Sequence, residues 1–146
     1  MNMMKKILLA AMASLMLVGA SMADMGAKHK VVIQVSSSDA KTQTIALNNA
    51  VNVHKSFGPG EVDVEIVAYG PGLSILTENK KNKNAKRVAS LAMSDITFSA
   101  CGNTMKKIAK KNNGKEPKLV AGVKIVPAGV IRIMELQGKG YAYIRP

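Results

Sequence analysis

The chain carries a single cysteine, and its neighbours make that residue the first place to look for chemistry. Cys101 lies within Ile96-Thr97-Phe98-Ser99-Ala100-Cys101-Gly102-Asn103-Thr104-Met105-Lys106-Lys107. Ile96, Thr97 and Phe98 favour a strand. Gly102, Asn103 and Thr104 supply turn and capping chemistry ahead of a short amphipathic run, Met105, Ile108 and Ala109. The thiol is therefore expected at or just before a helix N-terminus, where unpaired backbone N–H groups and the positive end of the helix dipole favour the thiolate, which is the nucleophile. Lys106 and Lys107 would add positive potential if they fold back. The competing reading is a small buried hydrophobe that serves packing alone. One cysteine excludes an internal disulfide, an intramolecular dithiol couple and a cysteine-rich metal centre, and in an oxidising compartment such a thiol is buried, paired between chains, or used.

The other chemistry-bearing residues give weaker signals. His29 is expected in a flexible start and His54 as a satisfied imidazole on a helix border, so neither is read as a metal ligand. Neither can be placed beside Cys101, so a Cys–His pair is unsupported, and no carboxylate pair suited to acid–base work is evident. Tyr69, Gly70 and Gly72 surround a turn whose N–H groups could approach an anion, but Gly70-Pro71-Gly72 lacks the spacing of dinucleotide and P-loop signatures, and a plain strand-to-helix turn is the stronger reading. Residues 36–42 occupy the place where a flavodoxin-like fold holds a flavin phosphate, yet they contain no glycine, and few aromatic rings are available for stacking. No metal and no cofactor is expected.

The elements that must position these residues follow from periodicity. Residues 30–35 form a continuous apolar run, a strand covered on both faces. Asp39 or Thr42 caps a helix over 42–57, whose stripe includes Ala46, Ala50, Val53 and Phe57 and which stops at Gly58-Pro59-Gly60. A second strand spans 62–68, residues 73–76 make a helical turn, 78–84 an exposed lysine-rich loop, and Ala85, Val88, Ala89 and Ala92 mark a further helix. After the Cys101 turn come a helix from about Asn103, a polar loop over 110–118 and a short strand over 123–126. Pro127-Ala128-Gly129 then leads into 130–136, apolar on most sides and so either deeply buried or covered by another subunit. On that reading a charge at Ile133 would break an oligomer. A strand over 141–144 ends the fold. This alternation predicts an α/β class, a three-layer α/β/α arrangement around a mostly parallel sheet of about five strands. Right-handed crossovers would gather residues 36–39, 69–73, 99–104 and 127–129 along one sheet edge, where ligands bind in such folds.

The first 23 residues are expected to be a signal peptide. Lys5 and Lys6 precede an apolar run over 7–18, too short to span a bilayer comfortably, and Ser21-Met22-Ala23 offers small residues at a cleavage site. The expected product is an exported, periplasmic chain with one domain over 24–146 and no stable membrane insertion. Six of the ten methionines fall in the leader, so they do not form a metal-binding cluster. Without Lys5 and Lys6 the formal net charge drops from +12 to +10. Such charge favours anionic partners. Nucleic acid is not among those expected, because aromatics are few and no nucleic-acid motif surrounds the lysines, which read mainly as a solvated face.

Together, Val31-Val32-Ile33-Gln34-Val35, Ala68-Tyr69-Gly70-Pro71-Gly72, Phe98-Ser99-Ala100-Cys101-Gly102-Asn103-Thr104 and Val126-Pro127-Ala128-Gly129-Val130 resemble the DsrE/DsrF-like family of sulfur-relay proteins over nearly all of residues 28–146. The resemblance implies a parallel α/β fold, assembly into small homo-oligomers, and a cysteine that carries sulfur as a persulfide, here Cys101. Implied partners are a sulfur donor or acceptor protein or a small anionic sulfur species. The activity implied is that of a sulfurtransferase-type carrier. The alternative is a non-catalytic oligomeric binding or assembly module on the same scaffold.

Overall fold

Five parallel strands lie side by side in the order β4-β3-β2-β1-β5, and that order decides which helix covers which face. The computed structural model describes Ala27 and residues 29–146; the expected signal segment lies outside the described residues. Strand β1 (His29–Val35) is followed by helix α1 (Ala40–Phe57), β2 (Val62–Ala68), a 3₁₀ segment (Gly70–Leu76), α2 (Ala85–Ala92), β3 (Ile96–Cys101), α3 (Gly102–Lys111), β4 (Lys124–Val126), α4 (Gly129–Gly138) and β5 (Ala142–Ile144). From β1 to β4 each strand is added on the same side of the last, so right-handed crossovers place α1, α2 and α3 on one face. The return from β4 to β5 runs the other way, and α4 lies alone on the opposite face.

Side-chain alternation shows the consequence. Val31, Ile33, Val35, Val64, Ile66, Ala68, Ile96, Phe98 and Ala100 point to the first face and pack with Ala46, Leu47, Val88 and Met105 in the main core. The second face holds a much smaller cluster, Val32 and Val67 against Ile133 and Leu136 of α4. Between these apolar residues it carries Gln34, Glu65 and Ser99, all buried. The expected three layers are present, but the second helical layer is a single helix.

Several local expectations are refined. His29 is the first residue of β1 and not part of a flexible start: its N–H donates to the Glu61 carbonyl at 3.1 Å and its ring stacks on Phe57 with centroids 3.8 Å apart. Asp39 is the cap of α1, accepting from the Thr42 N–H at 2.7 Å, so the helix starts two residues earlier than periodicity alone places it. The expected turn over 73–76 is a 3₁₀ segment that already begins at Gly70. His54 is not a satisfied imidazole, since its Nε2 is buried without a hydrogen-bond partner.

Helix α4 resolves the choice left open for residues 130–136. Ile133 and Leu136 face the sheet, while Val130, Ile131 and Met134 are 49–62% exposed. A charge at Ile133 would therefore damage the core and says nothing specific about an oligomer. No helix among the described residues is long and apolar enough to cross a membrane.

Candidate functional site

Strands β3 and β4 are neighbours, yet the chain leaves β3 for one face of the sheet and β4 for the other. In parallel sheets the gap between two such strands, at their carboxyl ends, is where ligands bind. Cys101 is the last residue of β3 and pairs in register with Val126, the last of β4. Its alternation directs the side chain to the α4 face, and its backbone occupies the cap position of α3.

Close packing around this gap brings two helix N-termini onto one sulfur. Gly102, the first residue of α3, lies against β4: a Cβ there would stand 3.2 Å from the Val126 carbonyl oxygen. The Asn103 N–H donates to the Pro127 carbonyl at 3.1 Å, which ties the start of α3 to the turn before α4. Gly129, the first residue of α4, is buried against Tyr69, whose ring would lie 2.9 Å from an added Cβ. Only a residue without a side chain lets α4 begin this close to the strand ends.

Burial pushes the Cys101 thiol up, as desolvation of a thiolate must. The nearby Thr104 hydroxyl and the backbone N–H groups of Gly129, Thr104 and Asn103 favour the thiolate, and the net direction is down. These groups belong to the first turns of α3 and α4 on opposite faces of the sheet, so the positive ends of both helix dipoles favour the same charge. Thr104 is itself held in place: its Oγ1 accepts from the Gly70 N–H at 2.9 Å. Gly70 reaches that position at φ 54°, in the left-handed region where glycine carries no penalty.

The residues singled out from sequence therefore divide into groups. Cys101, Gly102, Asn103 and Thr104 gather at the gap between β3 and β4, Gly70 donates to Thr104, and Tyr69 packs the start of α4. Gly72 serves packing, because a Cβ there would overlap the Val35 carbonyl at the end of β1. Lys106 and Lys107 are exposed on α3. Lys107 lines a cleft of about 450 Å³ with Lys111, Ile108, Gly70, Pro71 and Thr104. Thr104 is thus shared between the sulfur and a cationic cleft. Cys101 itself is only 5% exposed.

Sequence reasoning missed the polar group under α4. Glu65 accepts from Ser99 Oγ at 2.6 Å and from Arg132 Nε and Nη2 at 2.8 Å each. The signal was present as one carboxylate in an otherwise apolar strand interior and one guanidinium in an apolar helix.

Among the described residues no group of three His, Cys, Asp or Glu side chains converges to hold a metal ion. A model of the DsrE/DsrF-like family matches residues 29–146. Among solved structures, a protein of unknown function from Methanobacterium thermoautotrophicum is similar with a TM-score of 0.70 and 28% sequence identity, over 81% of this chain and 99% of that one. No curated protein matches the chain.

Proposed function

We propose that this chain, which belongs to the DsrE/DsrF-like family, a family generally linked to sulfur relay, carries sulfane sulfur as a persulfide on Cys101 and passes it to a partner thiol. The observation that supports this reading is the position of Cys101 at the strand ends where α3 and α4 both begin, an environment that lowers its thiol.

The chemistry needs a thiolate that is both nucleophile and leaving group. In loading, the Cys101 thiolate attacks the outer sulfur of a donor persulfide, the donor S–S bond breaks, and the donor thiolate departs with the electron pair. In unloading, an acceptor thiolate attacks the outer sulfur of the Cys101 persulfide and Cys101 leaves as thiolate. Two S–S bonds form and two break over the cycle, with no net oxidation. The Thr104 hydroxyl and the two helix N-termini around the sulfur favour negative charge on it before loading and after unloading, so they assist both steps. They also favour the anionic persulfide, whose charge spreads over both sulfur atoms. Because Cys101 is nearly enclosed, a donor reaches it when the Pro127–Gly129 rim gives way or when a partner inserts its own sulfur between the strand ends.

The basic surface supports an anionic partner or donor, since Lys107 and Lys111 border the cleft that ends at Thr104. Lys5, Lys6 and the apolar run over 7–18 support export to the periplasm. The exposed Val130, Ile131 and Met134 favour a homo-oligomer, and they are also what a non-catalytic assembly module would use.

The test is the intact mass of the full chain after incubation with a polysulfide donor. A gain of one or more sulfur atoms that dithiothreitol removes and that Cys101→Ser lacks is expected. An unchanged mass, together with an alkylation midpoint at the ordinary thiol value of about 8.5, would leave the assembly reading.

A further inference from the structure

Helix α4 begins at Gly129 beside the strand ends that hold Cys101, so whatever fixes its position over the sheet also tunes the surroundings of the sulfur. Its apolar anchors are few: Ile133 and Leu136 rest on Val32 and Val67. Contacts of that kind resist separation but tolerate sliding, because apolar attraction has no preferred direction. The fork formed by Arg132 does not tolerate it. Arg132 Nε and Nη2 each donate to a different oxygen of Glu65 at 2.8 Å, and the Ser99 hydroxyl holds one of those oxygens at 2.6 Å. The Glu65 side chain is 5% exposed and that of Arg132 27% exposed. A bidentate pair of this geometry fixes distance and orientation together.

Its placement relative to the sulfur is direct. Arg132 lies three residues after Gly129, one turn along the same face of α4. Ser99 lies two residues before Cys101, on the same face of β3. The clamp therefore joins the same helix and the same strand that meet at the Gly129–Cys101 contact, one turn and one pleat away.

We propose that Glu65 and Arg132 are positioning residues for Cys101: their bidentate pair, braced by Ser99, sets the height of α4 above the sheet and so keeps the N-terminus of α4 beside the sulfur. This rests on the reading of Cys101 as the reacting group. The other charged or titratable groups around the clamp are Lys124 from β4, Asp63 from β2, Asp95 just before β3, Glu135 on the next part of α4, which meets Arg132 Nη1 at 3.5 Å, and Tyr141 beyond α4, whose hydroxyl faces Asp63. None of them bridges α4 to the strand that carries Cys101.

Two conservative variants of the full chain test it, with iodoacetamide alkylation of Cys101 followed against pH. The midpoint of that profile reports thiolate formation, and greater exposure alone would lower it, because burial pushes the thiol up. Arg132→Lys keeps the positive charge near the sulfur but loses the fork. Glu65→Gln removes a negative charge and keeps the shape. If Glu65 acted on the thiol only through its field, its neutralisation would favour the thiolate and move the midpoint down. If it acts by holding α4, loss of the Gly129 donor moves the midpoint up. The expected result is an upward shift of about half a pH unit or more in both variants, the share of one hydrogen-bond donor. A downward or absent shift in Glu65→Gln, or no shift in Arg132→Lys, overturns the proposal. An ordinary midpoint in the unsubstituted chain would instead count against the sulfur-carrier reading, so the two ideas fail on different samples.

Discussion

Gly129, at the first residue of α4, and Cys101, at the last residue of β3, meet at the gap between two neighbouring strands whose chains depart to opposite faces of the sheet, and the Gly129 N–H favours the Cys101 thiolate. This contact exists because β5 pairs with β1 and not with β4. Had the last strand continued the row beyond β4, a right-handed crossover would have carried α4 to the face already holding α3. The sulfur would then have received donors from α3 alone. The topology thus connects the order of strands to the charge state of one atom.

Gly129→Ala tests that contact without touching any polar side chain. The added methyl would stand 2.9 Å from the Tyr69 ring, so either the ring or the start of α4 must move. Overpacking of this kind costs about 1–3 kcal/mol, and a fall in the thermal unfolding midpoint is expected. The alkylation profile of Cys101 should also move to higher pH. A destabilised variant with an unmoved profile would show that the Gly129 N–H does not act on the thiolate.

Thr104→Val replaces the hydroxyl with a methyl of similar size. It removes the hydroxyl that favours the Cys101 thiolate and the acceptor of the Gly70 N–H. Loss of a hydrogen bond between part-buried groups costs about 1 kcal/mol. Sulfur loading from a polysulfide donor at neutral pH should slow, and Thr104→Ser should restore it because the hydroxyl returns. Equal loading by the Val and Ser variants would remove Thr104 from the site.

The lowered thiol also couples to stability. A group whose folded value is depressed adds stability that is fully present above its unfolded value, about 8.5 for cysteine, and is lost as pH falls through the folded value. Across that window the thermal midpoint of the unsubstituted chain should rise with pH relative to Cys101→Ser. Parallel curves for the two proteins would contradict a thiolate stabilised by the fold.

Most of this fold was readable from the residues, and the parts that were not have a common cause. Val62-Asp63-Val64-Glu65-Ile66-Val67-Ala68 announces its strand through β-branched residues, and its bounds match the structure because Gly60 and Tyr69-Gly70 interrupt it at both ends. Cys101 was placed at a helix start because Gly102-Asn103-Thr104 cannot easily prolong a strand. The sequence brings residues 127–129 to the same sheet edge as Cys101, but that the helix they open lies directly beside the sulfur depends on strand order, which is a tertiary outcome and leaves no local pattern. For the same reason Arg132 and Glu65, 67 positions apart, gave no sign of pairing. Lys106 and Lys107 would add positive potential only by folding back, but both are exposed on the helix, while Gly129, remote in sequence, acts on the thiol through its backbone N–H.

The outer face of α4 supplies the last prediction. Val130, Ile131 and Met134 form an exposed apolar stripe on the helix that reaches Cys101, and Ile125 of β4 is 60% exposed beside the gap. If a second copy covers this stripe in a homo-oligomer, Met134→Glu should shift the chain to a smaller species by size-exclusion chromatography with light scattering. Its thermal midpoint in the dissociated state should change little, because a solvent-facing position on an isolated subunit tolerates charge, usually within about 0.5 kcal/mol. Ile133→Glu provides the contrast: its side chain is buried against Val32 and Val67, so the variant should lose several kcal/mol or fail to fold, whatever the oligomeric state. An unchanged elution for Met134→Glu would mean that the stripe does not hold copies together. Loss of sulfur loading in a dissociated but folded Met134→Glu would mean that assembly helps to form the competent site, because the same helix bears the stripe on one side and the Gly129 donor at its end.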